Sequence, residues 1–215
     1  MSARKRSPLQ NLIIAAAAVA ALLGGYYLGN LASNKQLEFK TATLLPEPKA
    51  LQDFKLIDYD KEPFNLDRLK GHWNLLFFGY TNCPDICPTA LASMAQVDNQ
   101  LANIDRGLHE KTQVIFVSVD PQRDTPEHLK QFVSFFNPDF LAATGEQEQL
   151  KALTQQLSLQ YRLQTPDEKG DYLVDHSSWL VIINPEGQFH AVISGAHYPN
   201  PEGMAADIKS IAGLY

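Results

Sequence analysis

The chain has only two cysteines, and they sit four positions apart in Cys83-Pro84-Asp85-Ile86-Cys87-Pro88. A disulfide between residues this close would close a tiny loop and constrain little of the unfolded chain. The pair is therefore there for chemistry rather than for scaffolding. A thiolate is both a nucleophile and a metal ligand, so two chemistries are open. The common redox spacing is Cys-x-x-Cys, whereas three residues intervene here. A wider loop can still form a disulfide, but two thiolates can also converge on one ion. As soft ligands they select Cu(I) or zinc, and a full site then needs a third ligand from elsewhere.

The elements that must position these sulfurs follow from the apolar pattern. Trp73 to Tyr80 is a continuous apolar run, short enough for a buried strand. The cysteine loop follows it, and Thr89 to Ile104 carries Leu91, Met94, Ala95 and Leu101 at helical spacing. A residue before proline is disfavoured in the α region and proline favours the first helical position. Pro88 is thus expected to open that helix with Cys87 at its cap. The partial positive charge of a helix N-terminus favours thiolates. Gln113 to Val119 reads as a second buried strand, and Thr125-Pro126-Glu127 as a helix start. Glu146 to Leu159 reads as a helix. Trp179–Ile183 and Phe189–Ile193 form a hairpin around Asn184-Pro185-Glu186-Gly187, and Asn200-Pro201 opens a last helix that Gly213 closes. Strand-helix-strand units imply a parallel sheet covered by helices, and the terminal hairpin makes it mixed. This order fits an α/β, thioredoxin-like mixed sheet flanked by helices.

Six histidines are available as a third ligand. His72 lies at the wrong end of the first strand. His109 and His128 read as exposed, and His190 and His197 belong to or follow the late hairpin strand. His176 precedes Trp179–Ile183, in the loop that faces the cysteine loop in a thioredoxin-like sheet. Redox members place a proline there. No proline occurs between Asp167 and Asn184, so the chain offers an imidazole instead, which moves the reading toward metal. Asp120 and Asp175 are candidates to orient that imidazole from behind, with a loop-capping role through Arg123 as the plainer reading of Asp120. Asp85, between the cysteines, shapes the loop or faces a partner. Met94 and Met204 read as core, Phe78 and Tyr80 as packing.

Three separated motifs together resemble the Sco/SenC family. They are Phe77 to Thr89 around the cysteines, Val117 to Pro126 with Asp120, Arg123 and Asp124, and Tyr172 to Ser177 with His176. The resemblance runs from about Leu51 to the C-terminus. It implies a thioredoxin-like fold and one copper, Cu(I) or Cu(II), held by Cys83, Cys87 and His176. It further implies a metallochaperone, not an enzyme, that assists assembly of the copper centre of cytochrome c oxidase. Its partners would be subunit II or another copper oxidase, and other copper chaperones. The alternatives are a thiol-disulfide oxidoreductase that keeps the oxidase cysteines reduced through a Cys83–Cys87 disulfide, and a copper or redox sensor.

Length and composition agree. The 215 residues, 45% of them hydrophobic, suffice for one domain with an appendage. The net charge is −6, and three positive charges, Arg4, Lys5 and Arg6, cluster before residue 7, so the remainder is more acidic still. That balance argues against nucleic acid as a partner. The uncharged run from Leu12 to Ala32 is long enough to cross a bilayer, and its basic flank sets the N-terminus on the cytoplasmic side. A cleaved signal is the alternative, but no clean small-x-small site follows the run. The expected organisation is a cytoplasmic tail over 1–10, a transmembrane anchor over 11–32, a linker over 33–48 and the copper-binding domain over 49–215. This places the domain on the periplasmic side of a bacterial inner membrane, or the equivalent side in an organelle.

Overall fold

Every residue of Trp73–Gly79 is buried, because this strand (β4) takes hydrogen bonds on both edges and is covered on both faces. In the computed structural model, which describes residues 8–33 and 38–215, β4 pairs in parallel with β5 (Thr112–Ser118) and antiparallel with β9 (Leu180–Ile183). β5 in turn pairs in parallel with β6 (Leu141–Thr144). β10 (Gln188–Ile193) folds back on β9. The eight-stranded sheet is completed by β1 (Ala42–Ala50) beside β10 and by β2 (Leu56–Asp58) and β3 (Pro63–Phe64) beyond β6. A separate two-stranded ladder joins β7 (Tyr161–Leu163) to β8 (Val174–His176). The helices are α2 (Ile86–Ile104), the short α3 (Arg106–His109), α4 (Pro126–Ser134), α5 (Gln147–Gln156) and α6 (Pro201–Ala212). α2 packs against α6, and α4 against β6. This is the mixed sheet flanked by helices expected from the pattern.

The chain divides into two units, 1–38 and 39–215. In the first, α1 (Pro8–Ser33) has no charged residue and is long and apolar enough to cross a membrane. It begins three residues earlier than the expected anchor, with Pro8 at a position where the missing N–H costs nothing. The basic cluster Arg4-Lys5-Arg6 and linker residues 34–37 lie outside the described residues.

Three expectations need correcting. The linker does not reach Pro48, because Ala42–Ala50 is an edge strand. Pro46 and Pro48 suggested a tether, yet prolines are tolerated on an edge, where a missing N–H leaves no ladder bond unmade. The register breaks between Leu44 and Lys49, the stretch that holds both prolines. Asp207 of α6 secures the start of this strand: its Oδ2 accepts Thr41 N at 2.6 Å, Thr41 Oγ1 at 2.8 Å and Ala42 N at 3.0 Å. Second, α2 starts at Ile86, so Cys87 lies inside the first turn and Pro88 follows it. First-turn N–H groups have no intrahelical partner, so proline fits there without loss. Third, His176 ends a strand rather than lying in a loop. The β7 and β8 strands have three residues each and are separated by ten, too short and too far apart to show as alternation.

The helix ends expected elsewhere hold. The Thr125 side chain accepts from His128 N, and that of Asn200 from Gly203 N. Met94, Met204 and Phe78 are core residues.

Candidate metal centre

The cysteine loop begins where β4 runs out. Cys83 N donates to Tyr80 O at 3.3 Å, turning the chain toward α2. Asp124, after β5, holds the turn from beneath: it accepts Thr81 N at 3.0 Å, Thr81 Oγ1 at 2.6 Å and Ser118 Oγ at 2.5 Å. The last residue of β4 is equally constrained. A Cβ on Gly79 would lie 2.6 Å from Cys87 Sγ, so only glycine lets the sulfur sit against the strand. Cys87 is fully buried, while Cys83 is partly exposed, and both are free thiols.

β8 brings the imidazole to these sulfurs. Cys87 Sγ lies 3.4 Å from His176 Nε2. One donor atom from each of Cys83, Cys87 and His176 falls within 4.8 Å of the others, and no other such group of three occurs among the described residues. His176 Nδ1 is 3.2 Å from the Ser177 carbonyl. A carbonyl only accepts, so this contact assigns the ring proton to Nδ1 and leaves the Nε2 lone pair facing the sulfurs. The ring is held edge-on by Phe77 (5.9 Å, 78°) and Tyr80 (5.9 Å, 89°). Tyr80 is thus a packing residue, as expected, and forms one wall of the imidazole's slot.

The two thiols titrate as a pair. A hydrogen bond from Cys87 pulls Cys83 well below the ordinary thiol range, helped by the amides of Asp85 and Cys87 at the start of α2. The same bond, with burial, pushes Cys87 up. One negative charge shared over the two sulfurs suits a cation.

The carboxylates behave differently from one another. Asp120 is buried. It binds Arg123 Nε and accepts the Tyr172 hydroxyl at 2.7 Å, while Arg123 Nη1 donates to Tyr172 O at 2.9 Å. The guanidinium lies 3.6 Å over the Tyr172 ring and 5.6 Å from that of Tyr80. Asp120 therefore reaches His176 only through Arg123 and Tyr80. Asp175 is not hydrogen-bonded to His176. Successive strand residues point to opposite faces, and Asp175 pairs instead with Arg162 at 2.9 Å and Gln164 at 2.7 Å. Asp85 caps α2 by position only, with an exposed side chain that accepts no capping bond. Sequence reasoning missed Asp124 as a loop anchor, because Thr125-Pro126 already explained it as part of a helix start. It missed Gly79 because a glycine inside the Phe77 to Thr89 motif carries no reactive group, and Tyr198 because it lies outside every motif. An open groove of about 430 Å³, walled by Gln160, Arg162, Asp175 and Ser177, runs beside His176.

Comparison with known proteins agrees with this geometry. The SCO1/SenC family model matches residues 43–213. The SCO2-like protein RP587 of Rickettsia prowazekii is 41% identical over 140 residues, covering 63% of this chain and 65% of that protein, just under two thirds of its length. Arabidopsis thaliana ScoI, solved with copper bound, superposes with a TM-score of 0.70 at 30% identity, covering 76% of this chain and 98% of the other. Yeast Sco1, also solved with copper bound, gives 0.71 at 30% identity over 78% and 91%. The match spans the whole sheet, the cysteine loop and the histidine hairpin, and the chain belongs to the SCO1/SenC family.

Proposed function

We propose that this protein is a membrane-anchored metallochaperone that carries one copper ion on Cys83, Cys87 and His176 and assists assembly of the copper centre of cytochrome c oxidase. The observation that carries this reading is the convergence of two sulfurs and one imidazole nitrogen within 4.8 Å, from two separate stretches of the chain. Two thiolates and a neutral imidazole form a soft donor set that suits Cu(I) and also Cu(II). Copper is the cargo. With three protein donors, a fourth position is open to a ligand from the acceptor, namely subunit II or another copper oxidase. Cys83 and His176 are partly exposed and Cys87 is buried, so an incoming ligand meets the first two before the third. Copper then passes through a shared-ligand state without release of free ion. α1 is the anchor, with its basic flank cytoplasmic and the domain on the periplasmic or equivalent side.

A second reading has its own support. Both cysteines are free, and Cys83 is the more acidic and more accessible thiol. In a thiol-disulfide oxidoreductase, the Cys83 thiolate would attack a target disulfide and Cys87 would displace the target thiol. One disulfide in the target would be exchanged for one between Cys83 and Cys87. That disulfide would remove both thiolates from copper, so redox state would gate loading.

Titrating the full-length protein in detergent micelles with Cu(I) and Cu(II) decides between them. The chaperone reading expects one copper per chain in the reduced state, none after oxidation, and collapse of binding in Cys83→Ser, Cys87→Ser and His176→Ala. Indifference to Cys83→Ser sinks it. His176→Ala that loses copper yet still reduces a model disulfide at the wild-type rate, in a protein that transfers no metal to a subunit II fragment, establishes the second reading.

A further inference from the structure

Tyr198 is 3% exposed and lies outside every motif, yet it connects the cysteine helix to the segment just after the histidine strand. Ser93, six residues after Cys87 on α2, donates its hydroxyl to Tyr198 O at 2.8 Å. The Tyr198 hydroxyl donates to Ser178 O at 2.9 Å. Ser178 is two residues beyond His176, and the carbonyl between them, that of Ser177, takes the imidazole Nδ1 proton. Burial raises the Tyr198 hydroxyl far above its usual range, so it stays a donor. The Tyr198 ring stands edge-on to Phe77 at 6.1 Å, and Phe77 stands edge-on to His176. The short 3-10 turn Gly195–His197 before Tyr198 closes on the same carbonyl. A Cβ on Gly195 would lie 2.9 Å from Ser178 O and 2.8 Å from its Oγ. Ser178 is therefore boxed in by a glycine and tied by a hydroxyl.

We propose that Tyr198 is a positioning residue: its bond to the Ser178 carbonyl, braced by Ser93 on α2, sets the His176 imidazole against Cys87 before any metal arrives. The relay of Ser93, Tyr198, Ser178, Ser177 and His176 starts on the helix that carries Cys87 and ends on the ring 3.4 Å from its sulfur. It uses no metal and no thiol. Preorganisation of this kind fixes a ligand's tautomer and direction through the groups behind it. The inference rests on the copper reading for its purpose, but not for its geometry.

The test uses full-length protein in micelles with Tyr198→Phe, which keeps the ring against Phe77 and removes only the hydroxyl. In the metal-free reduced state, nitrogen-15 correlation spectra of the His176 ring should show one Nδ1–H tautomer in wild type. In Tyr198→Phe they should show mixed tautomers or exchange broadening. Loaded with Cu(II), the variant should show a shifted thiolate-to-copper absorption band and altered copper hyperfine splitting. It should also lose copper to a chelator about five-fold faster, the worth of one neutral hydrogen bond. Ser93→Ala should change both spectra in the same direction by less. Ser210→Ala, which removes a helix-internal hydroxyl bond to Ala206 O, should change neither. Ring spectra of Tyr198→Phe identical to wild type overturn the proposal, as does an equal response to all three variants. If Tyr198→Phe does not fold, Ser93→Ala decides by the same criteria. A wild type that binds no copper refutes the copper reading, while the metal-free ring spectrum still decides the role of Tyr198.

Discussion

Gly79 and Cys83 show how much of the site depends on single atoms. The strand must end in a residue without a side chain, because the Cys87 sulfur occupies the place a Cβ would take. Gly79→Ala should therefore displace the sulfur. We expect a stability loss of about 1–3 kcal/mol, the usual result of an added methyl in a packed core. Copper affinity should fall at least ten-fold, read by urea unfolding and by Cu(I) competition with a chromophoric chelator. The titration of Cys83 makes a second prediction. Bonds from Cys87 and helix-start amides lower its folded pKa, so the thiolate persists far below the ordinary thiol range of about 8.5. Iodoacetamide should alkylate Cys83 in the reduced, metal-free protein with little change in rate between pH 8 and pH 6. An ordinary thiol would slow about ten-fold per unit. Cys87, buried and shifted upward, should stay unmodified, and mass mapping of the alkylated peptide distinguishes the two.

At the scale of elements, two buried carboxylates each anchor a segment of the chain to a neighbouring element. Asp207 ties Thr41 and Ala42, at the entry to β1, to α6 through three donors on one oxygen. Asp207→Ala should cost on the order of 2–3 kcal/mol, because hydrogen bonds to a charged acceptor are the stronger kind. Amide exchange should rise first at residues 42–44. Copper binding should be nearly unchanged, since β1 lies at the sheet edge away from β4. Asp124→Ala should do the reverse at the cysteine loop. It frees Thr81 and leaves the buried Ser118 hydroxyl proton without its acceptor, while Ser118 Oγ still accepts Asp120 N. We expect a similar loss of stability together with a copper affinity reduced by ten-fold or more, which calorimetric titration would register. The contrast between the two variants separates general stability from control of the loop.

At the scale of the whole molecule, the sheet has a chemical end and a closing end. The site sits where β4 finishes. Trp73, where β4 starts, packs edge-on with His190 at 5.7 Å and with the C-terminal Tyr215 at 5.5 Å. Burial lowers the His190 pKa below 6.5, and its buried Nδ1 has no hydrogen-bond partner. The unfolded chain thus takes up a proton that the folded one resists. The stability that depends on neutral His190 is complete above about pH 6.5 and is lost progressively as pH falls below it. His190→Phe should flatten that acid limb when thermal midpoints are measured from pH 7.5 to pH 5. An unchanged slope would assign acid sensitivity to other groups.

The sequence by itself determined the chemistry and the class of fold. Two thiols four apart, a histidine before a late strand, and apolar runs with helix starts at Thr125 and Asn200 are local signals. Each is carried by neighbours in the chain, so each is legible there. Tertiary structure decided what depends on contacts between distant residues. β1 is a strand because β10 and Asp207 receive it, despite prolines that locally favour a tether. Asp175 turns from His176 because the β7–β8 ladder puts them on opposite faces. Asp124, Gly79 and Tyr198 matter only once Thr81, the Cys87 sulfur and the Ser178 carbonyl have been brought to them. The cysteines and the histidine announce a metal site in one dimension, but the distances that make it a site are set by packing between segments some ninety residues apart.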